Sequence, residues 1–360
     1  MNKKLLMIIG IIAAVAAALF ALRPAYMSAD PRPVVRIGVI LPLTGDMAFM
    51  GQSIRRGINM AIDDINKNPE KKFVYRAVFD DNQHQPKQTI SIASRMIARG
   101  KITAMVTMFS ASAYATAPLL AQHRIIGLHG TPVRDVLDGV YNFTIMPPSD
   151  DAVSGFAEFA RKRNAQRIAI VFHLAGTTLE ILDALPASLP GEVRRFDVNH
   201  GVRDFGMMVR QIREWRPDLI ITSVLPPELN IITREAYLQQ LSVPTIHFSL
   251  PNATDDFSLF EGFYSLSYSQ GSDEFIERMG RSNTFFAAYY YDAVRIFAAA
   301  VERAAGDSDA IPPAEEISAE IKKIRIHDGA VGRIDITDTG AFKSSFTIDR
   351  IENGQLVTVQ

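Results

Sequence analysis

The chain has 360 residues, 48% hydrophobic and 21% charged, a balance that suits a folded protein and argues against disorder. Its 38 Lys and Arg nearly cancel its 39 Asp and Glu, so no bulk field calls for nucleic acid or an anionic membrane surface. Cysteine is absent, which excludes disulfides, thiolate metal sites and cysteine nucleophiles.

Lys3 and Lys4 precede an unbroken apolar run from Leu5 to Leu22, closed by Arg23 and Pro24. A charged start followed by an apolar run is an export pattern. The run also reaches the about 17–25 residues that span a bilayer, and the small-x-small cleavage positions are poor. Residues 1–33 are therefore expected to be a signal peptide or membrane anchor plus linker, with the rest of the chain exported in either case. No Cys follows the run, so a lipoprotein anchor is excluded.

From Val35 the pattern alternates strand and helix, as parallel α/β folds do. Val35 to Ile40 is a short apolar strand, Leu41 to Gly45 a turn, and Ile54 to Ile65 has helical spacing. Phe73 to Phe79 alternates as a strand ending at Asp80-Asp81, and Pro86 opens a helix. Strands are expected at Ile102 to Met108, Ile125 to Leu128 and Tyr141 to Ile145, with a helix from Ala113 to Gln122. The rhythm then restarts. Helices are expected at Asp150 to Asn164, Thr177 to Leu185, Phe205 to Trp215 and Asn230 to Leu241, and strands at Arg167 to Phe172, Asp218 to Ser223 and Thr245 to Ser249. A long apolar helix, Phe285 to Ala305, and a charged one, Ala314 to Ile324, precede three strand-like pieces, Gly332–Ile336, Ser344–Asp349 and Leu356–Val359. Two successive βα runs imply two similar lobes.

In an α/β sheet, ligands sit at the mouth of turns such as Leu41 to Gly45, where strand ends and helix N-termini leave free N–H groups. This turn has no G-x-G-x-x-G and no G-x-x-x-x-G-K-[ST], so it is not shaped for a dinucleotide or triphosphate. The seven histidines include no H-E-x-x-H, and there is no G-x-S-x-G. Ser110 and His129 end successive predicted strands as a nucleophile and base would, but no third member is evident. No enzyme activity, cofactor or metal is expected.

The segment Ile37 to Gly45, with Ala48, Gly51, Gly57 and Ile65-Asn66, resembles the opening of type I periplasmic binding proteins, in the leucine/isoleucine/valine-binding family of ABC-transporter receptors. Asp80-Asp81 with Pro86, Ser110 to Pro118, Gly130-Thr131-Pro132, Pro147 to Asp150, Asp204-Phe205, Pro217-Asp218, Tyr290 to Ala293 and Gly329 to Ile336 extend it in order along the chain. The resemblance implies two Rossmann-like lobes with parallel-type sheets, joined by a three-stranded hinge and closing over a small solute. It divides the chain into lobe 1, residues 34–150 and 271–338, and lobe 2, residues 151–270 and 339–360. It also implies an ABC permease in the inner membrane as partner and a periplasmic location. A membrane-anchored sensory or interaction protein on the same fold, held through residues 5–22, is the alternative.

For the site, the resemblance implies that Ser110, with Ala111 and Ser112 at the start of the following helix, receives a carboxylate. Ser112 is also the better-placed helix cap by sequence. Thr131 stands where the family contacts the ligand's polar head, Gly130 would permit close backbone approach, and Met47 and Phe49 would form an apolar wall. The second lobe departs from the family. The expected tyrosine after the Val171 strand is missing, leaving His173, and the expected carboxylate near Ser249 to Asn252 is replaced by uncharged residues, Asn252 among them. A buried ammonium without a carboxylate is costly, which leaves the solute open.

Overall fold

A computed structural model describes residues 30–45, 47–174, 178–254, 256–280 and 285–359; the predicted signal or anchor segment lies outside them. The first sheet contains β1 (Val34–Leu41), β2 (Val74–Asp81), β3 (Ala104–Met108), β4 (Ile126–Gly130) and β5 (Asn142–Thr144). Their order is β2-β1-β3-β4-β5, every pair parallel. Helices α1 (Ala48–Asn66), α2 (Pro86–Ala98) and α3 (Ser110–Gln122) connect these strands. A parallel sheet needs helices on both faces, which explains why β3 and β4 are buried along their whole length.

The second half repeats this plan with α4 (Ser149–Lys162), β6 (Arg167–His173), α5 (Thr178–Ser188), β7 (Glu192–Val198), α6 (Gly206–Trp215), β8 (Leu219–Ser223), α7 (Glu228–Leu238), β9 (Thr245–Phe248), the one-turn α8 (Leu250–Ala253) and β10 (Tyr264–Ser267). The chain then runs through α9 (Asp273–Met279), α10 (Phe285–Ala305), α11 (Ala314–Ile324), β11 (Ile326–Gly329), β12 (Gly332–Ile336), β13 (Phe342–Ser344), β14 (Thr347–Glu352) and β15 (Gln355–Thr358). The second sheet has the order β15-β14-β10-β9-β8-β6-β7, parallel from β10 to β7 and antiparallel at β14 and β15. β11, β12 and β13 form a small antiparallel sheet.

Short elements such as α8, α9, β11 and β13 were not expected from the sequence, and three strands depart from it instructively. β7 carries exposed Arg194 and Arg195 and buries only Phe196 and Val198, the economy of an edge strand. β10 reads as polar, yet Ser265 and Ser267 are buried and hydrogen-bonded to each other at 2.7 Å. The predicted strand Ser344–Asp349 lies three residues later, as β14 at Thr347–Glu352.

Helix α10 belongs to the first core, where Ala287, Tyr290, Val294, Phe297 and Val301 pack with residues of β1, β3 and α1. The crossing with α1 is close enough that a Cβ on Gly57 would lie 2.6 Å from the Ala287 carbonyl oxygen. Chain passes between β5 and β6, between β10 and α9, and between β13 and β14 link the halves, and Ala341 bridges Thr144 of the first sheet just before the last pass. Rings of Phe248, Tyr268 and Phe346 pack together at these passes, with centroids 4.5–6.2 Å apart. A Gly57→Val substitution is expected to force α1 from α10 and cost about 1–3 kcal/mol or more; urea denaturation measures it, and an unchanged midpoint would contradict the close crossing.

Candidate functional site

Strand order reverses on either side of β1 in the first sheet, so β1 and β3 diverge in their connections and leave a crevice at their carboxyl ends. The turn after β1 is tied down by Asp81, whose carboxylate accepts from the Leu43 amide (2.8 Å), the Gln83 amide (2.9 Å) and the Thr44 hydroxyl. Burial alone would raise the Asp81 carboxyl, but these hydrogen bonds outweigh it and hold it below the ordinary carboxylate range. Asp80 instead pairs with Arg95, so the two adjacent acids do separate work.

Across the crevice, β3 is followed by Phe109, a non-glycine residue at φ 70°, ψ 148° in the N-cap position of α3. Such a backbone costs about 1–3 kcal/mol and persists only where surrounding contacts enforce it. Here the amide of Phe109 donates to the Gly130 carbonyl at 3.1 Å, and its ring packs on His84 at 4.5 Å. The conformation starts α3 at Ser110, three residues before the predicted start, and turns the Ser110 hydroxyl toward the end of β4.

There the Ser110 Oγ and Thr131 Oγ1 lie 2.7 Å apart, and Thr131 Oγ1 also accepts from the Val133 amide at 3.3 Å. Thr131 is fully buried and Ser110 half-buried. With Thr131 donating to Ser110, the Ser110 proton is free to point at an incoming acceptor, and each bond in the relay polarises the next.

The other sequence candidates divide. Ala111 is exposed beside Ser110. Ser112 is turned inward, 3.2 Å from the Thr89 hydroxyl and 3.4 Å from the Asn82 amide nitrogen, so it braces the loop after β2 instead of capping α3 or facing the crevice. Gly130 is required for a different reason than ligand approach: a Cβ there would lie 1.7 Å from the Tyr290 hydroxyl, which donates to the Thr107 carbonyl. Met47 is half-buried against the first core, while Phe49 is 50% exposed. His129 serves neither as base nor as contact. Its Nε2 donates to Asn142 Oδ1 and its Nδ1 accepts from Thr107, both at 2.8 Å, which leaves nothing for Ser110.

In the second half the corresponding reversal lies between β6 and β8. His173 ends β6 and is not solitary. Its Nδ1 accepts from the Leu225 amide at 3.1 Å, and its ring stacks on His200 with centroids 4.1 Å apart. Glu228, the first residue of α7, lies against both, an arrangement no local pattern in the sequence announces. Burial first, and then His200, lowers the His173 ring below the ordinary histidine value despite the Glu228 charge. Asn252 falls within α8, immediately after Ser249, which holds a left-handed backbone at φ 57°.

Fold and crevices together define a two-lobed α/β protein whose sheet ends offer preformed hydrogen-bonding groups to a small ligand. The sequence pattern of the family described as Periplasmic binding protein matches residues 34–355, and the chain belongs to that family. It is 23% identical over 351 residues to the Leu/Ile/Val-binding protein BraC3 of Rhizobium johnstonii, covering 91% of this chain and 94% of that one. A solved leucine-binding protein from Thermotoga maritima has the same fold at TM-score 0.77 and 22% identity, covering 91% of this chain and 98% of that one. An R. palustris solute-binding protein solved in complex with 4-hydroxybenzoate superposes at TM-score 0.76 and 19% identity, covering 91% and 96%.

His129 and His247 are both fully enclosed, and burial pulls each from 6.5 down to about 4. Hydrogen bonds, from His129 Nε2 to Asn142 and from His247 Nε2 to the Val224 carbonyl, only partly oppose this. As pH falls from 6.5 toward 4, the unfolded chain binds protons that the native state refuses. Stability is therefore expected to drop over that window by up to about 3 kcal/mol per histidine. Urea titrations across pH measure the slope, and His247→Gln should flatten it.

Proposed function

We propose that the protein is the extracytoplasmic solute-binding component of an ABC uptake system, capturing a small amino-acid-like or related polar solute between its lobes. It then hands the solute to a permease in the inner membrane. The observation that carries the reading is the Ser110–Thr131 hydroxyl pair at the carboxyl ends of β3 and β4 in a chain of this family. A donor relay ending in a half-buried serine suits a carboxylate or similar acceptor, and the α3 N-terminus adds unpaired N–H groups beside it. The names of the relatives, Leu/Ile/Val-binding and leucine-binding, fit such a head group, and so does the aromatic acid in the R. palustris complex.

The working units in this reading are lobe 1, residues 34–150 with 271–338, and lobe 2, residues 151–270 with 339–360, closing about their connecting passes. Closure removes water from the solute, so affinity comes from both lobes together. A thermal-shift screen of amino acids and small carboxylates should identify the solute, since binding raises apparent stability by mass action. Replacing Ser110 and Thr131 by Ala should weaken binding of that solute on the order of 10- to 100-fold, with the fold retained. Unchanged affinity in calorimetry would remove this pair from the site.

Export is the common consequence of the segment Leu5 to Leu22, whether it is cleaved or kept as an attachment to the membrane. Among the described residues no helix is long and apolar enough to cross a membrane. Fractionation of expressing cells should find either a soluble mature form beginning near Asp30 or full-length chain in the membrane pellet; recovery in the cytoplasm would contradict export.

A further inference from the structure

The carboxyl end of β8 runs into a short crevice lip, Val224 to Pro227, whose backbone is held by histidines from the two neighbouring strands. His247, near the end of β9, donates from Nε2 to the Val224 carbonyl at 2.9 Å. His173, the last residue of β6, accepts the Leu225 amide on Nδ1 at 3.1 Å. The Leu225 carbonyl accepts the Leu229 amide at 3.1 Å and so carries the first turn of α7. The Leu225 side chain is 40% exposed, at the sheet end where an α/β crevice lies.

A proton acts differently on these two bonds. A ring nitrogen that donates, as His247 Nε2 does, donates in either protonation state. One that accepts must keep its lone pair, and an imidazolium has none. Protonation of His173 would therefore set one N–H against another at Leu225 and cut the lip from β6. The groups around the ring favour that exchange. The His200 ring stacks on it at 4.1 Å, Glu228 Oε2 at the start of α7 lies 3.8 Å from its Nε2, and Arg203 lies 3.5 Å from the other Glu228 oxygen. His247 on β9 is the remaining titratable neighbour, and its influence also disfavours the imidazolium. Glu228 is held ionised below the ordinary carboxylate range, so it attracts the charged ring, whereas the Leu225 amide suits only the neutral one.

We propose that His173 is a proton-operated latch on the lip of the second crevice: neutral, it holds Leu225 and the start of α7 in place for the solute, and protonated, it releases them and turns to Glu228. The consequence for affinity rests on the solute-binding reading above; the release itself rests on the hydrogen bond. With the lip closed, burial first and then His200 keep the ring below the ordinary histidine value of 6.5, against the pull of Glu228. Opening the lip lifts part of that burial, so the open form takes up the proton more readily. The ratio of open to closed lip therefore rises by up to about tenfold for each pH unit below the ordinary value, until the closed form is protonated too. By the same linkage, a solute that seals the lip expels the proton.

The test is NMR of the solute-free mature protein from about pH 7.5 to about 5, following the His173 ring and the Leu225 amide. His129 and His247, held down to about 4, stay neutral over that range. Ring and amide are expected to titrate with one midpoint, with the exchange protection of Leu225 falling alongside. Glu228→Gln should move the midpoint to lower pH and His200→Ala to higher pH, opposite shifts that a merely structural role would not produce. His173→Asn keeps an acceptor near the Nδ1 position and has no proton to gain. In that variant the Leu225 amide should cease to titrate, with the melting temperature at neutral pH retained. A Leu225 amide that stays unchanged while His173 titrates, or that still titrates in His173→Asn, would overturn the latch. Calorimetry with the solute found by screening should show affinity falling over the same range in wild type and not in His173→Asn; equal pH dependence in the two would overturn the role in capture. Failure of the solute-binding reading has a different signature, no solute bound at any pH by a protein whose Leu225 amide still titrates with His173.

Discussion

The packing of α10 into the first lobe is the constraint on which the rest of the architecture depends. A parallel sheet cannot leave either face in water, and the face of β1, β3 and β4 not covered by α2 and α3 is closed by α1 together with α10. Tyr290 of α10 reaches the carbonyl of Thr107 near the end of β3, and Gly130 of β4 must be glycine for it to arrive. The helix that supports the Ser110–Thr131 pair is thus supplied by chain that follows the whole second sheet. Lobe 1 is complete only after most of lobe 2 has been threaded, because α10 follows β10 in the chain. Contacts of such long sequence separation also imply slow folding for the chain's size.

The polar core of lobe 1 has a related logic. Thr107, His129 and Asn142 form a closed hydrogen-bonded line across β3, β4 and β5, extended by Asp138, whose carboxylate accepts three backbone amides. Every member is satisfied, so the network fixes the register of three strand ends without leaving a chemically available group. It lies next to the crevice and holds the backbone from which Ser110 and Thr131 project. The histidine that looks reactive in the sequence is the one the fold has made inert.

How much of this was legible in the sequence follows from the range of the interaction that decides each feature. Strands such as β3 and helices such as α10 and α11 are apolar or periodic over their own length, and their positions were readable. Ser110 and Thr131 were readable as strand-end residues through the family resemblance. β7 was not, because an edge strand needs only Phe196 and Val198 inside. β10 was not, because its buried serines satisfy each other and the Leu250 amide, which no local hydropathy pattern reveals. Ser112 was misread as a cap because its partners, Asn82 and Thr89, come from the loop and helix after β2. His173 looked solitary because His200 and Glu228 reach it only after β7, β8 and α6 have been laid beside β6.

The two crevices differ in the kind of chemistry they hold. Lobe 1 presents neutral hydroxyls and amides, already bonded to one another, so it needs little reorganisation to accept an anion. Lobe 2 presents an ionised, buried Glu228 held below the ordinary carboxylate value: burial alone would raise it, but backbone hydrogen bonds and the neighbouring His173 and Arg203 outweigh that effect. Glu228 Oε1 accepts from the Gly201 amide at 2.9 Å and lies 3.5 Å from the Arg203 guanidinium, so the charge is held from the segment between β7 and α6. Donors already held in place cost little reorganisation when an acceptor meets them. The preformed hydroxyl pair thus belongs to lobe 1 and the buried charge cluster to lobe 2, each built at the carboxyl ends of its own sheet.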